Sequence, residues 1–456
     1  MIASDLRHGQ AWALRSRNVY VTDGVRPAAV IVDSEQIAAV VVVDEIPVGM
    51  HVEELGDRWL LPGLVDSHVH INEPGRTEWE GFATATKAAA AGGITTLIDM
   101  PLNSSPVTTT VAALRQKREA AAGQLWVDVG FHGGIVPGNA SEILPLIGEG
   151  VCAFKAFLCH SGIEDFPNAT EPDLRAVMPM LADAGLPLFV HAELLSPLPR
   201  EVEARFAANP KSYPAYLATR PASWEVAAIE TMVKLCREYR GAVHIVHLAA
   251  AIEAWPVILA AKSEGLPVTV ETCPHYLHFA AEEVPDGDAR YKCAPPIRER
   301  RERDRLRTLL AEGRLDTLGS DHSPAPPGIK HLTDGNLREA WGGIASLQLL
   351  LPVTWSAMGN HNPVETLAAL THRPAMLVGL AQSKGRIAAG CDADLVVFDP
   401  TASFRVSAAT LHHRHKATPY DGSVLQGVVE ATYLRGRKIF DHGELLGDPR
   451  GQTLRR

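Results

Sequence analysis

Two histidines separated by one residue close an apolar run near the start of the chain. The run is Gly63–His70, and the histidines are His68 and His70. On a β-strand, residues i and i+2 point to the same side, so both imidazoles could reach one metal ion. The pair alone is a weak signal. Its position at the end of a run that begins at the Pro62-Gly63 turn favours a ligand pair.

A lysine stands inside the apolar run Val151–Leu158. Burial of its ammonium group would be unfavourable unless the charge is neutralised or paired. On an edge or amphipathic strand, Lys155 would lie in solvent. The alternative is a desolvated amine with a lowered pKa, whose nitrogen is free to react with carbon dioxide. The two oxygens of the resulting carbamate could bridge two metal ions.

Other candidate ligands stand at the ends of later apolar runs. His191 ends one run, His247 ends another, and Asp321 follows the run Thr317–Ser320. His244 precedes His247 by three residues, so on a strand the two would face opposite sides and at most one is expected to bind metal. Each residue alone has an ordinary explanation, since a lone Asp after a strand often caps a helix.

Short apolar runs alternate with alanine-rich helical stretches between residues 62 and 379. The runs are Gly63–His70, Thr95–Met100, Val151–Leu158, Leu188–His191, Ala242–Leu248, Val268–Thr272 and Thr317–Ser320. The helical stretches include Trp79–Ala91, Val111–Ala122, Leu174–Ala184, Ser223–Tyr239 and Ala251–Ser263. This alternation predicts parallel βαβ units, about eight of which make a closed (β/α)8 barrel. A doubly wound open sheet is the alternative, but polar residues follow many strands and not a single switch point.

Both ends of the chain are rich in short β-strand patterns instead. Residues 1–61 and 380–456 are therefore predicted to form one composite β-sandwich domain beside a catalytic barrel of residues 62–379. Asp394–Phe398 is one predicted strand, and Val428–Phe440 is predicted to be a hairpin that turns at Arg435-Gly436.

The barrel prediction gathers six candidate residues at the C-terminal ends of five strands, the face on which barrel enzymes build their active sites. Four histidines, a carbamate and a carboxylate supply enough nitrogen and oxygen donors for two divalent ions. Such a pair would generate a nucleophile from water and polarise a carbonyl group. A hydrolase with one metal and no carbamate is a further possibility.

Composition excludes several other classes of protein. The 456 residues carry a formal net charge of −10 with no basic stripe, so neither nucleic acid nor an anionic membrane is an expected partner. No apolar run reaches the roughly 18–20 residues of a membrane span, and Met1–Arg17 has no signal-peptide core. The six cysteines include no CxxC pair, which argues against disulfides and thiolate zinc. We expect a cytoplasmic protein.

Nine segments resemble the cyclic-amidase branch of the amidohydrolase superfamily, which includes dihydroorotases, hydantoinases (dihydropyrimidinases) and allantoinases. They are His68–Arg76, Trp79–Phe82, Met100–Asn103, Phe154–Leu158, His160–Gly162, His191–Glu193, Cys293–Arg298, Ser320–Pro324 and Ala340–Ile344. The resemblance covers nearly the whole chain. Within the branch, the segments are most similar to those of allantoinases.

The resemblance implies two divalent metal ions, with zinc as the first candidate and cobalt, manganese, iron or nickel as alternatives. The implied ligands are His68, His70, Lys155, His191, His247 and Asp321. The HxH pair and Asp321 would bind the more buried ion, the two later histidines would bind the second, and carboxylated Lys155 would bridge both. This assignment selects His247 over His244. Asp321 would also act as general base, moving a proton from the attacking water to the leaving ring nitrogen.

The resemblance also implies substrate contacts. Main-chain groups of Ala294, Ser323 and Asn336 would hold the ring, and Ala294 replaces a frequent Ser. Dihydroorotases carry an Arg at the position of Asn72, so an uncharged ureide is favoured over a carboxylate.

Three further side chains are candidates for substrate contact. Hydantoinases carry a Tyr that binds the oxyanion at the position of His160, and we hypothesise that His160 takes over this role. Asn72 and Asn103 would add side-chain hydrogen bonds or, equally, serve turn geometry. Two departures from allantoinases, Ala156 and Ala325 in place of frequent Cys, remove no ligand.

The implied activity is hydrolysis of the cyclic amide bond of allantoin to allantoate in purine breakdown, by a homotetramer. Hydrolysis of hydantoins or dihydropyrimidines is the alternative. A non-catalytic scaffold of the same fold is the rival from another class, and the complete ligand set argues against it. His412, His413 and His415 are expected at the surface.

Overall fold

The computed structural model describes residues 11–22, 24–359 and 361–456. Residues 1–10 of the predicted N-terminal flank, with most of the segment examined for a signal peptide, lie outside the described residues. Elements are numbered in chain order. Two sheets of eight strands each organise the described chain: one is a parallel barrel and the other combines the two ends of the chain.

The flanking sheet joins the N- and C-terminal segments. Its strands are β1 Trp12–Val21, β2 Gly24–Asp33, β3 Gln36–Val41, β4 His51–Pro62, β13 Leu395–Arg405, β14 Val424–Leu434, β15 Arg437–Asp441 and β16 Glu444–Leu445. They form one ladder in the order β16-β15-β14-β13-β4-β1-β2-β3. The two ends meet where β13 pairs antiparallel with β4, with Leu395 opposite Pro62. The predicted joint β-structure of the two flanks is confirmed, while the predicted limits of the domains stay a prediction.

The second sheet is the barrel. Its strands are β5 Leu64–Val69, β6 Ile94–Asp99, β7 Asp128–Gly134, β8 Ala153–Phe157, β9 Leu188–His191, β10 Val243–Ile245, β11 Val268–Thr272 and β12 Thr317–Leu318. Each strand pairs in parallel with the next in the chain. A parallel bridge between Val69 and His322 joins the last strand region to the first, and His70 N donates to His322 O at 2.9 Å. The barrel prediction is confirmed against the open sheet.

Helices cover the barrel and complete its connections. They are α1 Phe82–Ala91, α2 Val111–Ala121, α3 Ala140–Gly148, α4 Glu171–Ala184, α5 Arg200–Ala208, α6 Tyr213–Ala218, α7 Ala222–Tyr239, α8 Ala251–Ser263, α9 Pro274–His278, α10 Arg300–Ala311, α11 Leu350–Met358, α12 Pro363–Leu370 and α13 His372–Leu377. The first helix begins at Phe82 and not at the predicted Trp79, because Gly81 has a φ of 107° that no helix contains. Among the described residues, no helix is both long and apolar enough to cross a membrane.

Strand β7 is missing from the predicted apolar runs because three of its seven residues are glycines, which are rare in strands. Packing requires them. A Cβ atom on Gly130 would lie 2.7 Å from Cys152 Sγ, and one on Gly133 would lie 2.6 Å from Phe154 Cε1. The glycines thus let β7 approach β8, the strand that carries Lys155.

The histidines near residue 413 lie on a loop between β13 and β14 that packs against the barrel. Thr418 Oγ1 donates to Ala345 O at 2.7 Å, and His415 Nε2 lies 2.7 Å from Glu78 O. His413 is only 1% exposed. The surface prediction is therefore wrong for His413, because the loop folds back over the barrel.

Candidate metal centre

All six predicted ligands line one cavity of about 770 Å³ at the C-terminal ends of the barrel strands. They are His68, His70, Lys155, His191, His247 and Asp321. Each of these residues is at most 8% exposed, so the cavity presents a dense group of buried polar atoms. The structure therefore brings together residues separated by more than 250 positions in sequence.

Asp321 contacts both members of the HxH pair. Its Oδ1 lies 3.3 Å from His68 Nε2 and 3.4 Å from His70 Nε2, so three ligand atoms surround one point. Asp321 N donates to His68 O at 3.0 Å, which fixes the aspartate beside the strand that carries the histidines. The nearby histidines, His68 first, hold the pKa of Asp321 well below its usual range despite burial.

A buried carboxylate orients His68. Glu271, at the end of β11, places Oε1 2.6 Å from His68 Nδ1, and it is fully buried. Burial opposes ionisation, but His68 and His244 hold the pKa of Glu271 at about 2. A Cβ atom on Gly319 would lie 2.5 Å from Glu271 Oε2, so a glycine at position 319 is needed to leave room for the Glu271 carboxylate. The carboxylate fixes the proton on Nδ1 and leaves Nε2 for a metal.

A second carboxylate orients His191. Glu193 Oε2 lies 2.7 Å from His191 Nε2, and Arg220 Nε donates to Glu193 Oε1 at 3.0 Å. This contact leaves Nδ1 of His191 available for a metal. The ring also stacks on Phe157, with centroids 4.5 Å apart. His247 lies close by, 4.6 Å from the His191 ring centroid.

Lys155 lies in the middle of the group on β8. It is fully buried, and its Nζ has no hydrogen-bond partner among the described residues. Burial, opposed in part by Asp321 and Glu271, lowers the pKa of Lys155 to about 8. An unpartnered buried ammonium is unfavourable, whereas an amine of this pKa can take up carbon dioxide and become an anionic carbamate.

The donor set fits two divalent cations. Imidazole nitrogens and carboxylate oxygens bind several first-row metals, and the orphan nitrogen of Lys155 is where a bridging ligand would form. Another nearby cluster fits less well: Cys159 stands close to His191 and Glu193. Burial raises the pKa of the Cys159 thiol to about 12, and Arg220 already neutralises Glu193.

His244 lies outside the cavity lining. Its Nδ1 lies 2.8 Å from Thr269 Oγ1, and its Nε2 lies 3.7 Å from Glu271 Oε2. Strand β10 ends at Ile245, and His247 has a φ of 41°, so the chain turns before the second histidine reaches the cavity. His247 therefore lies beyond the strand, and the alternation of side chains along β10 does not determine which way it points.

The two asparagines differ in position. Both have positive φ, 68° at Asn72 and 65° at Asn103, which fits turn geometry. Asn103 lines the cavity, but its Nδ2 lies 3.3 Å from His70 Nδ1, so it contacts a candidate ligand. Asn72 does not reach the cavity surface within the described chain, and its Nδ2 lies 3.5 Å from Pro324 O.

The remaining predicted substrate contacts lie around the cavity rim. Ala294 and Ser323 line it, whereas Asn336 does not and directly precedes the lining residue Leu337. His160 also lines the cavity, but its side chain is 55% exposed and its Nε2 lies 3.3 Å from Glu164 Oε1. To donate to a substrate, that imidazole would have to turn inward.

Sequence reasoning missed the side chains that support the candidate ligands. They are Glu193, Arg220, Glu225, Glu271 and Arg298. Arg298 Nη2 donates to Glu225 at 2.6 Å, and Glu225 accepts the main-chain N–H groups of Ala249 and Ala250 just after His247. One signal was available: Glu271 is a charged residue inside an apolar run, like Lys155.

The sequence profile of the amidohydrolase family matches residues 59–439, and the chain belongs to that family. It is an amidohydrolase with a (β/α)8 barrel. The chain is 48% identical over 446 residues to an allantoinase of Streptomyces avermitilis, covering 97% of this chain and 98% of the relative. It is 47% identical over 416 residues to an allantoinase of Arabidopsis thaliana, covering 88% and 81%.

A solved structure supports the same family. The L-hydantoinase (dihydropyrimidinase) from Arthrobacter aurescens superposes with a TM-score of 0.91 at 30% identity, covering 98% of this chain and all of that one, 100%. The flanking sheet and the barrel are therefore both part of the shared architecture.

Proposed function

We propose that this protein hydrolyses the cyclic amide bond of allantoin and releases allantoate, as a step in purine breakdown. The observation that carries the proposal is the group of six buried donors in one cavity. Relatives that align with nearly the full chain at 48% identity are named allantoinases, which favours this substrate among cyclic amides.

Two divalent ions would be held by the six donors, with zinc as the first candidate, and would activate water and polarise the scissile carbonyl when bound. His68, His70 and Asp321 would hold one ion, and His191 and His247 the other. Carboxylated Lys155 would bridge them. Glu271 and Glu193 would keep His68 and His191 in the tautomers that this binding requires.

Asp321 moves the proton in the proposed reaction. Its carboxylate is anionic because the neighbouring histidines lower its pKa, so it can accept a proton from the attacking water. It then returns this proton to the ring nitrogen, which must leave as a neutral amide group for the C–N bond to break. The main chain at Ala294, Ser323 and Asn336 would orient the ring. His160 would donate to the oxyanion after turning inward.

Asn103 is proposed for a second role beside substrate contact. A metal on His70 Nε2 requires the proton on Nδ1, and an amide oxygen at the Asn103 position would accept it. Amide orientation is assigned from such partners, and the Asn103 oxygen is otherwise buried without one. Asn72 would act mainly through its turn.

Hydrolysis of hydantoins or dihydropyrimidines is the second candidate, favoured by the TM-score of 0.91 with a hydantoinase. Turnover separates the two. Metal-reconstituted protein in bicarbonate buffer is offered allantoin, hydantoin and dihydrouracil in parallel. Preferred opening of allantoin supports the proposal. Opening of only hydantoin and dihydrouracil would instead identify the protein as a hydantoinase.

Location and assembly are also proposals. The six free, buried cysteines suit a reducing cytoplasm, and the family resemblance favours a homotetramer. Light scattering coupled to size-exclusion chromatography would measure the mass; a monomeric mass would contradict the tetramer.

A further inference from the structure

Among the described residues, five lysine and arginine side chains line the cavity, and most have an assigned partner or role. They are Arg76, Lys155, Arg220, Lys292 and Arg338. Arg76 pairs with Asp165 at 3.3 Å, and Arg220 pairs with Glu193. Lys155 is the proposed carbamate, and Arg338 is an exposed residue of the rim. This leaves one partly buried cation, Lys292, to be explained.

Lys292 has spare hydrogen-bond donors. Its Nζ donates to Ala340 O and lies 5.4 Å from the ring centroid of Tyr216, and among the described residues no carboxylate forms an ion pair with it. An ammonium group carries three N–H donors, so two remain for an incoming acceptor. Burial and, next, the charge of Arg220 lower the pKa of Lys292 to about 8. The group is therefore poorly compensated without a ligand.

The main chain around Lys292 is held rigidly. Lys330 Nζ donates to Lys292 O at 2.7 Å and to Trp341 O at 2.9 Å. Tyr216 OH donates to Cys293 O at 2.7 Å. Fixed main-chain atoms on both sides of the peptide bond reduce the entropy that a ligand contact by this side chain would lose.

Lys292 lies on the same side of the chain as the proposed ring contact. Lys292 and Ala294 both line the cavity, whereas Cys293 between them does not line it in the part of the chain that the structure describes. A ring held by the main chain at Ala294 would therefore lie in the cavity that Lys292 also lines.

We propose that Lys292 donates a hydrogen bond to the carbonyl oxygen of the ureido arm of the substrate, and so selects a ureido-substituted ring over plain hydantoin. This inference rests on the proposed function. Plain hydantoin has the same ring and lacks the arm, so it gains nothing from this donor.

The test compares allantoin and hydantoin as substrates of the wild-type protein, Lys292→Met and Lys292→Arg, all metal-reconstituted. The ratio of the two kcat/KM values is independent of the fraction of active protein, so partial misfolding does not obscure it. If hydantoin turnover is too slow to follow, its inhibition constant against allantoin supplies the comparison. Lys234→Met is the matched control, because that lysine is exposed and pairs with Glu171.

We expect Lys292→Met to lower kcat/KM for allantoin about 10- to 100-fold, the loss typical of one hydrogen bond from a charged donor, while hydantoin changes less than about twofold. Lys292→Arg should recover part of the loss, and Lys234→Met should change neither substrate. Equal losses on both substrates, or none, would overturn the inference and leave the proposed function standing. Failure of the wild-type protein to open allantoin would refute the proposed function and the inference with it.

Discussion

Charged residues inside apolar runs are where the sequence is most informative about chemistry. Lys155 stands out because burial of an ammonium group needs a reason, and the structure leaves its Nζ without a partner among the described residues. Glu271 carries the same signal but was overlooked, since its role becomes clear only when the fold places its carboxylate 2.6 Å from His68 Nδ1. Candidate ligands can thus be predicted from strand-end positions, whereas their supporting partners depend on contacts between distant strands.

Replacement of Lys155 by alanine should remove most of the activity and of the bound metal, because the proposed bridge is lost. A short-chain carboxylic acid added to Lys155→Ala should restore part of the activity by supplying two oxygens. Metal analysis and allantoin turnover with and without the acid measure both effects. Full metal retention without the bridge would argue for a site that needs no carbamate.

Glu271→Gln should weaken metal binding about 10- to 100-fold, the usual effect of losing a partner that orients a metal-binding histidine. Competition with a chelator measures the affinity. Glu264→Gln is the control, since Glu264 pairs with Arg237 at the surface. Equal affinity in both variants would show that His68 needs no such support.

Element boundaries follow the sequence pattern closely where local rules suffice. The predicted helix Val111–Ala122 is observed as Val111–Ala121, and Ala251–Ser263 is observed as predicted. Strand β7 could not be predicted in this way, because its glycines are needed for contacts with side chains distant in sequence, which are Cys152, Phe154 and Phe166. The end of β10 was also not predictable from alternation, since the chain turns before His247.

The loop that carries His247 depends on the buried pair of Glu225 and Arg298. Arg298→Met should destabilise the fold by about 3–5 kcal/mol, because it leaves the buried Glu225 carboxylate without a counter-charge. The double variant Glu225→Gln/Arg298→Met should recover part of the loss. Urea unfolding midpoints measure both; an unchanged midpoint in Arg298→Met would contradict the role of the pair.

At the scale of the whole molecule, one lysine connects the barrel to the flanking sheet. Lys384 Nζ lies 2.6 Å from Asp128 Oδ2 on β7 and 2.9 Å from Asp394 Oδ2 beside β13, and also contacts Asp392. The three carboxylates raise the pKa of Lys384 against the effect of burial. Their spacing resembles a metal site, but the ammonium group already contacts all three carboxylates, and Arg435 also pairs with Asp128. The sheet shared by the two ends of the chain was predictable from strand patterns. The contact of Lys384 with both sheets was not.

Lys384→Met should lower the melting temperature, and the deficit should grow as the pH rises from about 4 to about 7. Burial already raises the pKa of Asp394, and Lys384 opposes this effect, so the pKa of Asp394 should rise further without the ammonium. A carboxyl group with a raised pKa favours the folded state in its neutral form, so stability is lost as Asp394 ionises. Thermal unfolding across this pH range, with the exposed Lys234→Met as surface control, tests it; a pH-independent deficit would contradict the explanation.

The most direct test of a catalytic metal centre for allantoin hydrolysis is turnover by one preparation before stripping, after chelation and after reloading with zinc in bicarbonate. We expect allantoin opening to disappear with the metal and to return when about two ions bind per chain. A loaded protein that opens no allantoin would contradict the proposed substrate. A stripped protein that keeps its activity, or a protein that binds no metal, would contradict the metal centre itself.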